Sequence, residues 1–127
     1  MVVLQNKAVR IIKGIGPRDS TVGIFKELRI LNLSNMYNFS IAIFMFKYCK
    51  GDLPLIFKEM FKYCADVHSY ETRRTHHFSM PYCRLDICIR HVRFSGVTIW
   101  NKITSELDVY CSIHTFKKRV KHLYITS

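Results

Sequence analysis

The sequence predicts a mainly α-helical fold with a small N-terminal helical bundle, a short β-hairpin and an amphipathic C-terminal helix. Apolar residues recur at helical spacing through the first half of the chain. This period is lost between residues 68 and 93, where aromatic and β-branched residues cluster, and it returns near the C-terminus. With 127 residues, 49% of them apolar, the chain can bury a core. We divide it into a bundle at residues 1–64 and a basic extension at residues 65–127.

The first predicted helix covers residues 2–13 and ends at Gly14, since glycine favours the backbone conformation that closes a helix. Its apolar side carries Leu4, Ala8, Ile11 and Ile12. Its other side carries a short basic stripe of Lys7, Arg10 and Lys13. The pattern predicts an amphipathic helix, and a solvated face is the simplest interpretation of the stripe.

Three more helices are predicted in the bundle. Asp19 or Ser20 can cap a second helix that runs to residue 29 and turns Phe25 and Leu28 inward. Ser34 caps a third, in which residues 36–49 are apolar on almost every side, so this helix should be central. A fourth should start near Pro54 and end at residue 62. Its apolar residues are Leu55, Ile56, Met60 and Phe61.

The second half combines extended and helical patterns. Residues 77–84 and 87–94 fit the two strands of a hairpin. A short helix is predicted at residues 97–103 around Trp100. The last helix covers residues 113–124 and is capped by Ser112. Its apolar seam is Ile113, Phe116, Val120 and Leu123, and Lys117, Lys118 and Lys121 lie mainly away from that seam.

The charge of the chain favours a polyanionic partner. Lys and Arg number 20 against 9 acidic residues, which gives a net charge of +11. Residues 68–93 add arginines with aromatic residues between them, a mixture of phosphate donors and stacking surfaces. These arginines are Arg73, Arg74, Arg84, Arg90 and Arg93, and the aromatic residues are Tyr70, Phe78 and Tyr82. Equally, the aromatic residues could form core while the arginines keep the protein soluble.

Catalytic patterns are missing from the sequence. No pair of carboxylates lies at a spacing that suits acid–base or magnesium chemistry, and no glycine-rich phosphate loop occurs. We therefore expect no enzymatic activity and no cofactor in this chain. Potential zinc ligands crowd into one region, but their spacing lacks the two close pairs of a structural site, so we predict no metal. These residues are Cys64, His68, His76, His77, Cys83, Cys88 and His91.

The expected cellular location is intracellular, cytoplasmic or nuclear. Five cysteines are an odd number, and we interpret them as reduced thiols. The longest apolar run is far shorter than the roughly 20 residues that cross a bilayer, so no membrane partner is expected. The cationic last helix could also lie at a membrane surface, but one short helix would bind there only weakly.

Several segments resemble, in the same order, the region that follows the polymerase core in jockey-like non-LTR retrotransposon reverse transcriptases. In the first half these are Leu4-Gln5-Asn6-Lys7-Ala8-Val9-Arg10-Ile11-Ile12, Phe25-Lys26-Glu27-Leu28, Ile30-Leu31, Met36-Tyr37 and Phe46-Lys47-Tyr48. In the second half they are Leu53-Pro54, His68-Ser69-Tyr70, Thr72-Arg73, Phe94-Ser95-Gly96, Ile99-Trp100-Asn101 and Phe116-Lys117-Lys118. The resemblance extends from Leu4 to about Leu123.

This resemblance implies a helical thumb with a C-terminal extension, in a family that copies RNA into DNA. Such a thumb grips the template and primer duplex through its backbone, which makes Lys7, Arg10 and Lys13 expected contacts. The family's magnesium-binding palm is absent from this sequence, so polymerisation by this chain alone is not expected. The implied partners are RNA, an RNA:DNA hybrid or DNA, and a palm region elsewhere in a longer polypeptide. The alternatives are a non-functional mobile-element remnant and a small basic interaction module.

Overall fold

A computed structural model describes residues 1–67 and 77–126, and it confirms that the fold is mainly α-helical. The helices are α1 (Val2–Lys13), α2 (Val22–Glu27), α3 (Leu33–Lys50), α4 (Cys64–Val67), α5 (Asp86–Ile89), α6 (Val92–Glu106) and α7 (Ile113–Thr126). A single 3-10 turn at Leu55–Phe57 lies between α3 and α4. Pairing of extended backbone in the described parts is limited to one antiparallel bridge between Tyr63 and Phe78.

Helix α3 is central, as its apolar surface predicts, because α6 and α7 both pack against it. The core it shares with them contains Ile41, Ala42, Met45, Phe46, Phe61, Phe78, Val97, Trp100, Ile103, Phe116 and Val120. The ring of Phe46 on α3 stacks on Phe116 of α7, with centroids 4.4 Å apart. This one core joins residues from both sides of position 64, and the division into two regions at that position stays a prediction.

Gly96 brings α6 close to α3. A Cβ atom at this position would lie 2.9 Å from Met45 Sδ and 3.5 Å from the ring of Phe61. The Met45 side chain is fully buried, so it has little room to move away. The missing side chain therefore sets the distance at which these two helices pack.

Asn101 on α6 holds the segment around Phe78 in the core. Its Oδ1 accepts a hydrogen bond from the Phe78 N–H at 3.0 Å, and its Nδ2 donates to the Phe78 carbonyl at 2.9 Å. The side-chain amide thereby satisfies both backbone groups of a residue that is only 1% exposed. The Tyr63 ring stacks on Phe78 with centroids 4.5 Å apart, which completes the enclosure.

The predicted β-hairpin at residues 77–84 and 87–94 is wrong in the described part of the chain. Residues in the second predicted strand form α5 and the start of α6. His91 caps α6, since its Nδ1 accepts a hydrogen bond from the Arg93 N–H at 3.3 Å. The side chains of Ile87 and Ile89 are exposed, so these β-branched residues do not pack against a sheet. Helix α6 also starts five residues before the predicted helix at residues 97–103.

Helix α1 has the predicted bounds, but its predicted apolar side faces solvent. Leu4, Ile11 and Ile12 are exposed, as is Ala8, while the buried residue of this helix is Val9. Hydrogen bonds of two amide side chains explain this orientation. Gln5 bonds to the Leu31 carbonyl and the Leu33 N–H, and Asn6 Oδ1 accepts from the Thr21 hydroxyl at 3.3 Å.

The other predicted helices of the first half are adjusted at their ends or lost. Helix α2 starts after Thr21 instead of Asp19 or Ser20, because the Asp19 carboxylate accepts a hydrogen bond from the Gly16 N–H at 2.8 Å. Helix α3 is capped by Asn32, whose Oδ1 accepts from the Asn35 N–H, instead of by Ser34.

The predicted fourth helix, which was expected to end at residue 62, is reduced to the 3-10 turn. Leu55 and Ile56 are 85% and 86% exposed, so no apolar face stabilises a longer helix there. Phe61, in contrast, is buried as predicted. The last predicted helix is confirmed as α7 and is capped by Ser112, whose Oγ accepts from the Thr115 N–H at 3.3 Å.

The close approach at Gly96 predicts opposite effects of one substitution at two glycines. Alanine has a higher helix propensity than glycine by about 1 kcal/mol, but at position 96 it overpacks the core. We expect Gly96→Ala to lower the free energy of unfolding by about 1–2 kcal/mol. Gly23→Ala on α2, where an added Cβ has no atom within 4 Å, should raise it. Urea unfolding measures both, and a stabilised Gly96→Ala variant would contradict the packing.

The burial of Trp100 predicts a large loss of stability on truncation. This side chain is 4% exposed, and its ring lies 5.9 Å from that of Phe116. We expect Trp100→Ala to cost about 3–5 kcal/mol, measured by urea or thermal unfolding. Tyr82→Ala is the matched control, because Tyr82 is 93% exposed and should change stability by less than about 0.5 kcal/mol.

Candidate nucleic-acid interface

The cations of α7 lie on one side of a firmly anchored helix. Phe116 and Val120 are fully buried and fix the rotation of α7 about its axis. Lys117, Lys118 and Lys121 are exposed, and residues three or four apart share a face of a helix. Within residues 1–67 and 77–126, no hydrogen bond or ion pair engages the three ammonium groups. They are therefore available to an external anion.

His114 belongs to the same side of α7 and is not among the residues predicted from the sequence. It is exposed and precedes Lys117 and Lys118 by three and four residues. Its ring adds an N–H donor beside the ammonium groups. Its helical spacing from Lys117 and Lys118 is visible in the sequence, but a count of permanent charges does not include histidine. Arg119 on the adjoining side donates from Nη1 to the Asp108 carbonyl at 3.2 Å.

The predicted basic stripe of α1 is only partly available. Lys7 is exposed. Arg10 donates from Nε to the Asp19 carbonyl at 3.0 Å, and Lys13 forms an ion pair with Glu27. Two of the three predicted contacts thus already have partners that tie α1 to α2 and the loop before it.

The described arginines of the middle region lie on the surface, around α5 and at the start of α6. Arg84 precedes α5, Arg90 ends it, and Arg93 lies in the first turn of α6. All three residues are exposed. The Tyr37 hydroxyl donates to the Arg90 carbonyl at 3.1 Å, which links this segment to α3. The predicted contacts Arg73 and Arg74 lie outside the described residues.

Of the aromatic residues in this region, one belongs to the core and one is exposed as a possible stacking surface. Phe78 is buried in the core, so it offers no stacking surface. Tyr82 is 93% exposed and remains available to a planar ligand. Tyr70 lies outside the described residues.

The thiols and imidazoles do not converge on a metal site in the part of the chain that the structure describes. No group of three or more His, Cys, Asp or Glu side chains is arranged to hold an ion there. The potential ligands His68 and His76 fall outside that part. Desolvation of the thiol raises the pKa of Cys49 to about 11, and burial raises the pKa of its partner Tyr63 to about 12. Both groups are therefore protonated at neutral pH.

The cleft between α1, α2 and the N-terminal end of α3 has a volume of about 490 Å³ and also borders the end of α7. Its polar lining is made mainly of amides and hydroxyls, with Lys26 as the charged group. The described lining contains no carboxylate, imidazole or thiol beside its hydroxyls. Among the helices described, none is long and apolar enough to span a membrane.

Comparison with protein-family models, with curated proteins and with solved structures gives no match for this chain. The resemblance to the thumb and C-terminal region of non-LTR reverse transcriptases stays a prediction from the segments quoted above.

The ion pair between Lys13 and Glu27 predicts a small effect on stability. The Glu27 side chain is 62% exposed, and solvent screens such pairs. We expect Glu27→Gln to change the free energy of unfolding by less than about 1 kcal/mol in urea titrations. A larger loss would mean that this pair, and not the amides of Gln5 and Asn6, holds α1 in place.

Proposed function

We propose that this chain binds the sugar–phosphate backbone of nucleic acid, as the C-terminal part of a non-LTR retrotransposon reverse transcriptase. Its contribution is to hold the template and primer, an RNA:DNA hybrid, while the catalytic palm belongs to another part of that enzyme. The availability of the α7 cations is the main support. A net charge of +11, with one ion pair in the described residues, leaves most positive charge for external phosphates.

The arrangement suits backbone contacts better than base recognition. Lysine ammonium groups act as point charges toward phosphates, and exposed arginines give forked donors to the same oxygens. Lys117, Lys118 and Lys121 supply the first kind, and Arg84, Arg90 and Arg93 supply the second. Helices α5 and α7 contain no Asn or Gln, the side chains that pair with adenine edges. Binding should therefore tolerate different sequences.

A titration of the whole chain with a fluorescent RNA:DNA hybrid tests the proposal. We expect Lys117→Glu, Lys118→Glu and Lys121→Glu together to weaken binding strongly and to reduce the salt slope of log K by about 3. The matched control reverses the exposed Lys58, Lys62 and Lys102, which changes net charge equally at residues outside the predicted interface. Circular dichroism checks that both variants fold.

The outcomes separate this proposal from its rivals. Hybrid binding that falls by about 10³ between 50 and 200 mM salt is expected of about six phosphate contacts. No affinity for RNA, DNA or hybrid at low salt would support a basic interaction module or a non-functional remnant instead. Equal losses from the two triple variants would mean that net charge alone attracts the ligand, and would overturn the placement on α7.

A further inference from the structure

Two cysteines lie near the start of α5. Cys83 precedes this helix, and Cys88 lies within it. The Cys83 thiol donates a hydrogen bond to the Leu85 carbonyl at 3.2 Å, and the Cys88 N–H donates to the same oxygen at 2.9 Å. The Leu85 carbonyl thus accepts one hydrogen bond from the side chain of Cys83 and one from the backbone of Cys88.

The two thiol side chains also influence each other. Interaction with the Cys83 thiol is the main reason that the pKa of Cys88 is raised. In the described residues no other interaction joins two thiols. Cys49 interacts with Tyr63, and the Cys111 thiol lies 3.9 Å from the Asp108 carbonyl.

Both cysteines can be reached by a small oxidant. Cys88 is exposed, and Cys83 is partly exposed. The flanking side chains do not cover them, because Leu85 is 62% exposed and Ile87 is 76% exposed. A disulfide needs the two sulfurs at a separation of about 2.05 Å, and the shared Leu85 carbonyl holds both cysteines on one short turn.

We propose that Cys83 and Cys88 are a redox modification site that closes an intramolecular disulfide when a peroxide oxidises the protein. The peroxide oxidises one thiolate to a sulfenic acid, and the peroxide O–O bond breaks with release of hydroxide. The second sulfur then attacks the sulfenic sulfur, so that the S–S bond forms and the S–O bond breaks. The protons of both thiols leave in water. Overall, two thiols and one peroxide give one disulfide and two waters.

The disulfide would join the residue before Arg84 to α5 and fix the turn that carries this arginine. The inference does not depend on the proposed function, because the chemistry needs only the two thiols and an oxidant. Reducing agents would reverse it through thiol–disulfide exchange.

Peptide mapping of the folded whole chain after hydrogen peroxide treatment tests the proposal. Trypsin cleaves after Arg74, Arg84 and Arg90, so it separates the two cysteines into peptides 75–84 and 85–90. A disulfide keeps these peptides together until a reductant is added. We expect this linked pair to account for most of the oxidised protein.

Variants identify the pair and exclude a general oxidation. Cys83→Ser and Cys88→Ser should each abolish the linked peptide, whereas Cys111→Ser should leave it unchanged. A product that carries sulfinic acid on unlinked cysteines, or that links the chain mainly to a second copy, would overturn the proposal. So would a linked peptide that joins Cys83 or Cys88 mainly to Cys49, Cys64 or Cys111.

Discussion

The packing of α6 against α3 holds this fold together, and it requires that position 96 have no side chain. The close approach at Gly96 lets Val97, Trp100 and Ile103 enter the core beside Met45. The same helix carries Asn101, which fixes the backbone of Phe78 and so brings the region after the undescribed segment onto the core. Helix α7 packs on both helices, because the Phe116 ring contacts Phe46 of α3 and Trp100 of α6. A helix-breaking residue type thus lies inside a helix because contact distance outweighs local propensity.

The parts of the fold that the sequence predicts are those governed by local rules. Gly14 and Gly51 take positive φ angles of 65° and 76° at the ends of α1 and α3. Because glycine favours this conformation, the predicted ends of these helices agree with the structure to within about a residue. Ser112 caps α7 as its residue type suggests. The central position of α3 follows from its uniformly apolar surface, which needs neighbours all round.

The parts that the sequence does not predict are decided by tertiary partners. The β-branched residues of the predicted hairpin favour strands, but strand propensity has an effect only where a neighbouring strand exists. The backbone groups of Phe78 bond to the side chain of Asn101, and its only pairing with extended backbone in the described residues is the bridge to Tyr63. Helix α1 turns Gln5 and Asn6 toward partners at residues 21, 31 and 33, and the apolar spacing of its other residues does not reveal these partners. For the interface, the sequence identifies the basic residues, but it does not show which of them already bond to other groups of the protein. The partners of Arg10 and Lys13 are far along the chain or in a loop, and only the fold reveals them.

The attachment of α1 has a consequence for the order in which the protein opens. This helix buries one residue, Val9, and is otherwise held by the amides of Gln5 and Asn6 and by polar contacts of Arg10 and Lys13, all of which water can replace. Such bonds contribute about 1 kcal/mol each, whereas α3 is enclosed by aromatic rings and aliphatic side chains. Local unfolding free energies follow this difference, so α1 should separate from the rest while the α3, α6 and α7 core stays intact. We therefore expect the core of α3, α6 and α7 to be protected longer than the first helix when the protein opens locally.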